Sequence, residues 1–117
     1  MFRIAVIAAL VAGTASAGDV TVVAAEAQGS ANGWRFDVTL AHEDTGWDHY
    51  TDAWRVVGPD GTVFGTRTLY HPHVEEQPFT RSLSGVTIPE SVASVTIEAH
   101  DSVHGWSPQT LEITLPR

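Results

Sequence analysis

Apolar residues recur at every second position through most of the chain after Gly18, and this spacing constrains the fold more than any other feature. It is clearest at residues 34–40, 95–99 and 111–115. Successive side chains of a β-strand point to opposite faces, so a period of two indicates half-buried strands. No segment carries a convincing helical spacing. We therefore predict an all-β protein.

Seven segments carry this strand pattern. They are residues 20–24, 34–40, 54–56, 62–70, 79–86, 95–99 and 111–115. The turn signal Gly58-Pro59-Asp60-Gly61 separates the third and fourth, and Ile88-Pro89-Glu90-Ser91 separates the fifth and sixth. Seven short antiparallel strands predict an immunoglobulin-like or fibronectin-III-like β-sandwich, with Trp34 and Trp54 in its core and without the disulfide of antibody domains.

The first 17 residues differ in character from the rest. Arg3 precedes an apolar run over residues 4–12, and Ala15-Ser16-Ala17 provides a small-residue ending. This is the pattern of a secretory signal peptide, and the run is too short to span a bilayer. We predict a signal peptide at 1–17, a β-sandwich domain at 18–117, and a periplasmic or secreted mature protein. Lipid attachment at a thiol is not expected, because the chain has no cysteine.

The net charge of the chain limits the classes of molecule that it could bind. The chain has 14 acidic and 6 basic residues, all six of them arginine, for a net charge of −8. An acidic surface repels nucleic acid and anionic lipid, and it attracts cations. It also keeps an exported protein soluble, whatever its function. We expect a metal ion or a protein or glycan as partner, no nucleic acid, and no membrane span in the mature form.

All six histidines lie in three polar segments that alternate with the strands. These segments are HEDTGWDHYTD, HPHVEEQP and HDSVHGWSP, beginning at His42, His71 and His100. In a simple up-and-down order, the connections after the second, fourth and sixth strands emerge at the same end of a sandwich. A neutral imidazole is the commonest metal ligand. The sequence therefore predicts a metal site at one end of the fold.

Among these histidines, His71 and His73 have the best predicted ligand geometry. Pro72 favours an extended chain, in which residues two apart point to the same side. His100 and His104 are expected to complete the site, whereas His42 and His49 lie in a loop whose path cannot be read. Carboxylates from Asp101, Glu75 or Glu76 would bind the ion or support its ligands. Alternatively, His71 and His73 are surface histidines beside a proline, and His100 and His104 only cap the sandwich or bond a loop carbonyl.

Arg81 shares its strand parity with Phe79 and Leu83, which predicts an arginine that points inward. A buried guanidinium needs a carboxylate partner, and Glu75, Glu76 or Asp101 could provide it. Arg81 would then hold the HPH segment from behind. The alternative is a β-bulge that returns Arg81 to solvent.

The side chains available as ligands limit which metals the protein could bind. The chain has no cysteine, and its single methionine is Met1, so a soft copper(I) site is not expected. Imidazoles with carboxylates suit zinc or copper(II). An open zinc site could activate water, but the sequence has no helical histidine pair with an adjacent glutamate. We expect binding rather than catalysis.

A binding module that recognises a protein or a glycan is the main alternative. Trp47, Tyr50 and Trp106 fall in the same histidine-bearing segments. Exposed aromatic side chains serve as interface anchors or sugar platforms, or they pack as a hydrophobic lid. A third alternative is a structural or accessory domain of a secreted assembly.

The segments GWDHYTDAWRV, HPHVEEQPFTRSL and HDSVHGW resemble an uncharacterised family of small exported bacterial β-sandwich proteins with an HPHxxEQPFTRSL-type motif. The resemblance covers most of residues 18–117. It implies export and a β-sandwich, and it implies no activity. At the level of fold alone, the chain also looks similar to periplasmic copper-binding β-domains.

Overall fold

The computed structural model describes residues 4–8 and 18–117. The described elements are all strands: β1 (Ile4–Ala8), β2 (Thr21–Ser30), β3 (Gly33–Ala41), β4 (Thr51–Val57), β5 (Val63–Thr68), β6 (Phe79–Val86), β7 (Ser94–Asp101), β8 (Gly105–Trp106) and β9 (Leu111–Thr114). Apart from β1, the predicted signal peptide lies outside the described residues. Within the described ranges there is no helix that could cross a membrane. The all-β prediction is confirmed.

The strands form two antiparallel sheets. One has the order β1-β2-β3-β6, and the other has the order β5-β4-β7. Both β8 and β9 pair with the remaining edge of β7, along successive stretches of it, so they act as one interrupted strand. Residues 18–117 therefore form the predicted seven-stranded antiparallel sandwich, with three strands in one sheet and four in the other.

The inward-facing apolar residues of both sheets form one core. Trp54, Phe36 and Ile97 are fully buried, and Trp34 is almost so, as predicted. Burying a side chain of this kind stabilises the fold by about 1.5–3 kcal/mol. The described core runs from Val20 to Leu115 in sequence, so it lies within the predicted mature chain.

The buried positions of β2 differ from the prediction after Val22. A register shift between Val22 and Ala24 places one extra residue, Val23, in this strand. From there on, Ala25 and Ala27 are buried, and Ala24 is only half-buried. A β-bulge of this kind reverses the inward and outward positions, which a strict period of two does not anticipate.

The pairing register brings the three histidine-bearing loops to one end of the sandwich. Ala41, at the end of β3, pairs with Thr21 at the start of β2. Asp101, at the end of β7, pairs with Thr51 at the start of β4. We call this region the histidine end; it consists of residues 18–20, 42–50, 69–78 and 101–104.

Candidate metal centre

Asp101 provides the central carboxylate of the histidine end. Its side chain is fully buried, and its Oδ1 atom accepts hydrogen bonds from the backbone N–H groups of Val103 at 2.8 Å and His104 at 2.6 Å. Burial alone would raise the pKa of Asp101, but these hydrogen bonds and the His104 side chain lower it below the ordinary value. Asp101 is therefore a charged group inside the protein.

Three imidazoles surround this carboxylate. His49 Nε2 lies 3.2 Å from Asp101 Oδ1, His104 Nδ1 lies 3.2 Å from both oxygens, and His42 Nε2 lies 4.0 Å from Oδ2. The donor atoms of His42, His49 and Asp101 all lie within 4.8 Å of one another, as do those of Asp19, Asp101 and His104. Ligand atoms of a tetrahedral zinc ion are about 3.3 Å apart. The two groups share Asp101, and their donor atoms would have to move closer together to hold one ion.

The three imidazoles form a path from the interior to solvent. The side chain of His42 is fully buried, that of His49 is 22% exposed, and that of His104 is 41% exposed. The Nε2 atom of His49 is buried, and its 3.2 Å contact with Asp101 Oδ1 is not aligned as a hydrogen bond, so the atom has no hydrogen-bond partner among the described residues. A buried polar atom in this state is costly unless a ligand satisfies it.

His42 is held between two acceptors. Its Nδ1 atom lies 2.5 Å from Asp44 Oδ1, and its Nε2 atom lies 2.7 Å from the carbonyl oxygen of Gly18. Nε2 would have to give up its contact with the Gly18 carbonyl oxygen in order to bind an ion. A carboxylate behind Nδ1 is also the usual partner of a metal-binding histidine, because it fixes the ring and leaves Nε2 for the ion.

Asp44 connects two of the loops. Its buried carboxylate accepts hydrogen bonds from the backbone N–H of Thr51 at 3.0 Å and from that of His73 at 2.7 Å. The first bond closes the 42–50 loop on itself, and the second attaches it to the 69–78 loop. Asp44 therefore fixes both the orientation of His42 and the spacing of the loops around it.

From the sequence, His42 and His49 are the weakest candidates for metal ligands, but the structure places both at the centre of the histidine cluster. The long loop turns back on itself at Gly46, which has a φ of +140°, and the N–H of His49 donates to the Gly46 carbonyl at 3.2 Å. This turn directs His49 toward Asp101. The Gly46 turn signal inside the loop was the available indication, although it does not specify where the loop lies.

His71 and His73 are neighbours, as the HPH spacing predicts, but neither belongs to the three-ligand groups found among the described residues. Their ring centres lie 4.8 Å apart. His73 is buried and stacks on Phe79, with ring centres 4.0 Å apart, whereas His71 is exposed. Burial, followed by the charges of Arg81 and His71, lowers the pKa of His73.

Arg81 lies on the same face of β6 as Phe79, as predicted, and its carboxylate partner is Glu76 at 2.9 Å. Because β6 is an edge strand, the guanidinium remains partly exposed. The hydrogen bond from Arg81 lowers the pKa of Glu76. Arg81 also lies 5.6 Å from the centre of the Phe79 ring on which His73 stacks. Glu75 is exposed.

His100 is separated from Asp101 although the two are adjacent in sequence, because neighbouring residues of a strand face opposite sides. Its Nδ1 atom lies 2.5 Å from Asp52 Oδ1, where a register shift in β4 adds a residue. The ring also contacts Trp106 edge-on, with ring centres 4.9 Å apart. His100 therefore belongs to a polar cluster on the outer face of the second sheet.

The three candidate aromatic side chains remain accessible. Trp47 is 68% exposed and Trp106 is 39% exposed. Tyr50 is half-buried and packs edge-on against Trp47, with ring centres 5.6 Å apart. The guanidinium of Arg55 covers one face of Trp106 at 3.6 Å. Trp47 is too exposed to act as a lid over the sandwich.

Similarity to known proteins is confined to part of the chain. The sequence is 40% identical over 78 residues to a protein of Halomicrobium mukohataei named "Putative lipoprotein". The match covers 67% of this chain and 38% of that protein. No family model matches the sequence, and no solved structure matches it.

Proposed function

We propose that this protein is exported and binds one divalent transition-metal ion, zinc or copper(II), at the histidine end. His49, His104 and Asp101 bind the ion at the solvent side of the cluster, and His42 binds it from the interior. Asp44 orients His42. The proposed function is metal binding without catalysis.

The charge around Asp101 is the observation that carries this proposal. The carboxylate is buried, and the basic groups found within 4.0 Å of it in residues 18–117 are all imidazoles. A buried charge requires a compensating charge. A divalent cation would supply that charge, and it would also give the buried Nε2 atom of His49 a bonding partner.

The donor set supports zinc or copper(II) over other metals. Imidazole nitrogens and carboxylate oxygens suit both ions, and the chain has no thiol for a softer one. Calcium and magnesium prefer sites built from oxygen alone.

Two observations support export of the protein. Residues 1–17 have the composition of a signal peptide. The similar protein from Halomicrobium mukohataei carries the name of a lipoprotein, which fits an exported protein. This chain has no cysteine, so a thiol-linked lipid is not part of the proposal.

Calorimetric titration of zinc and copper(II) into the metal-stripped protein tests the proposal. We expect one ion per chain with a Kd below about 1 µM. His49→Ala and His104→Ala should each weaken binding by at least about tenfold, since loss of even an outer partner of a metal ligand costs 10–100-fold. His100→Ala is the matched control, because its ring lies on the other face of β7.

A double variant, His71→Ala with His73→Ala, determines whether the HPH segment binds the ion directly. We expect it to keep submicromolar binding. Loss of binding in this variant, together with unchanged binding in the His49 and His104 variants, would place the site in the HPH segment and contradict the proposal. Binding weaker than micromolar in the parent protein would contradict it as well.

Recognition of a glycan is a second candidate function, favoured by the exposure of Trp47 and its packing against Tyr50. Aromatic faces of this kind stack on sugar rings. Soluble oligosaccharides should then change the tryptophan fluorescence of the parent protein, and Trp47→Ala should remove the response without altering metal affinity. An unresponsive parent, with and without metal, would exclude this function for the glycans tested.

A further inference from the structure

Gly18 lies directly after the predicted cleavage point, and its backbone packs among the histidine rings. Its carbonyl oxygen is 2.7 Å from His42 Nε2. A Cβ atom added to Gly18 would lie 2.7 Å from His104 Cε1 and 3.2 Å from His49 Cε1. Carbon atoms that are not bonded pack at about 3.5–4.0 Å, so a residue with a side chain would displace the rings. The cluster is therefore built around the backbone of this one glycine.

Signal-peptide cleavage would change the chemistry of this residue. Hydrolysis of the Ala17–Gly18 bond consumes one water and leaves a carboxylate on Ala17 and an α-amine on Gly18. The Cβ position of Gly18 lies 3.4 Å from His104 Nδ1. Because the amine nitrogen is bonded to the same Cα, it lies at most about 6 Å from that ring atom. A new nitrogen donor would thus appear beside the cluster.

The amine and carbonyl of an N-terminal glycine can hold one metal ion together. A free amine donates a lone pair to a metal ion, as imidazole does. Neighbouring ligands of a square-planar copper(II) ion are about 2.8 Å apart. His42 Nε2 and the Gly18 oxygen lie 2.7 Å apart as a hydrogen-bonded pair, so one ion could reach both atoms if it replaced that hydrogen bond.

We propose that removal of the signal peptide completes the metal centre. The α-amine and carbonyl oxygen of Gly18 join His42, His49 and His104, and the added nitrogen and oxygen donors favour copper(II) over zinc. This inference rests on the proposed function, and it adds a ligand that only the processed chain possesses. The unprocessed chain binds copper(II) less tightly.

The absence of lysine makes a selective test possible. After cleavage, the α-amine is the one primary amine of the chain, so an acetylating ester at pH 7.5 modifies amines at Gly18 alone. We expect one equivalent of copper(II) to slow this acetylation, measured by intact mass. We also expect the acetylated protein to bind copper(II) at least about tenfold more weakly. A chain that begins at Ser16 is the matched control; it keeps an amine but moves it two residues away, and it should bind like the acetylated protein.

The possible results separate the two proposals. Copper affinity that survives acetylation, or an acetylation rate that copper does not change, would overturn this inference and leave the proposed function intact. If neither form binds copper(II) or zinc more tightly than about 1 µM, the proposed function fails and this inference fails with it. Intact mass of the exported protein provides a further check, and a first residue other than Gly18 would overturn the inference.

Discussion

At the scale of single residues, the buried aspartates determine what each histidine does. His49 and His104 contact Asp101, and His42 lies between Asp44 and Asp101. His100, one residue from Asp101 in sequence, pairs instead with Asp52 on the outer face of the sheet. The carboxylate that a histidine meets therefore decides whether it joins the metal centre.

The buried His73 should make the stability of the metal-free protein depend on pH. Its pKa is lowered in the folded state from an ordinary value of 6.5, mainly by burial. Below pH 6.5 the histidine is protonated in the unfolded chain but stays neutral in the folded protein. The contribution of His73 to the unfolding free energy is therefore complete above pH 6.5 and declines as the pH falls toward the lowered pKa. His73→Phe should reduce the loss of unfolding free energy between pH 7.5 and 5.5.

Urea unfolding in the presence of a chelator measures this difference. The comparison is between the slopes of the parent and the variant, so that contributions common to both cancel. His71→Phe is the matched control, because His71 is exposed. Equal slopes for the parent and His73→Phe would contradict the assignment.

At the scale of elements, Asp44 fastens the 42–50 loop to the 69–78 loop. Asp44→Ala would leave the N–H groups of Thr51 and His73 without their acceptor. Each buried unsatisfied donor costs about 1–3 kcal/mol, so we expect the two together to lower the unfolding free energy by about 2–6 kcal/mol. Amide exchange at His73 should also become faster. Glu43→Ala, at the exposed neighbouring residue, should change neither, and a similar effect of both substitutions would contradict this role.

Most strands of this fold could be predicted from the sequence, because the alternation of apolar and polar residues shows which face of a strand is buried. Trp54 and Ile97 are buried where parity places them, and β7 alternates without interruption. Parity also placed His100 on the face of β7 opposite Ala99, as observed. A period of two does not reveal the position of a bulge. The extra residue Val23 changed which alanines of β2 are buried.

The candidate metal centre was less predictable, because its composition depends on the path of a loop. The sequence indicates which end carries the histidines, but the turn at Gly46 and the link from Asp44 to His73 decide which of them meet. The HPH spacing correctly implied two adjacent rings, yet His73 stacks on Phe79 with its Nδ1 atom 3.9 Å from Asp44 Oδ2, and neither ring belongs to the three-ligand groups among the described residues. Nothing local in the sequence signals that Gly18 lies against His42 and His104.

At the scale of the whole molecule, the sandwich serves as a rigid support for one chemically distinct end. Loops between three pairs of strands converge there, together with the residues that lead into β2. The described core lies within residues 20–115, so the chain that begins at Gly18 contains both the support and the loops. At this end of the molecule, we propose that His42, His49 and His104 bind one ion together.

Nitrogen-15 NMR of the histidine side chains during a zinc titration tests this claim most directly. The metal-stripped chain from Gly18 to Arg117 would receive up to one equivalent of zinc, with each imidazole assigned by single His→Gln variants. We predict that the ring nitrogens of His42, His49 and His104 shift together and saturate at one equivalent, while those of His100 do not move. Saturating shifts at His71 and His73 instead, or no shift at any of the three, would contradict the account.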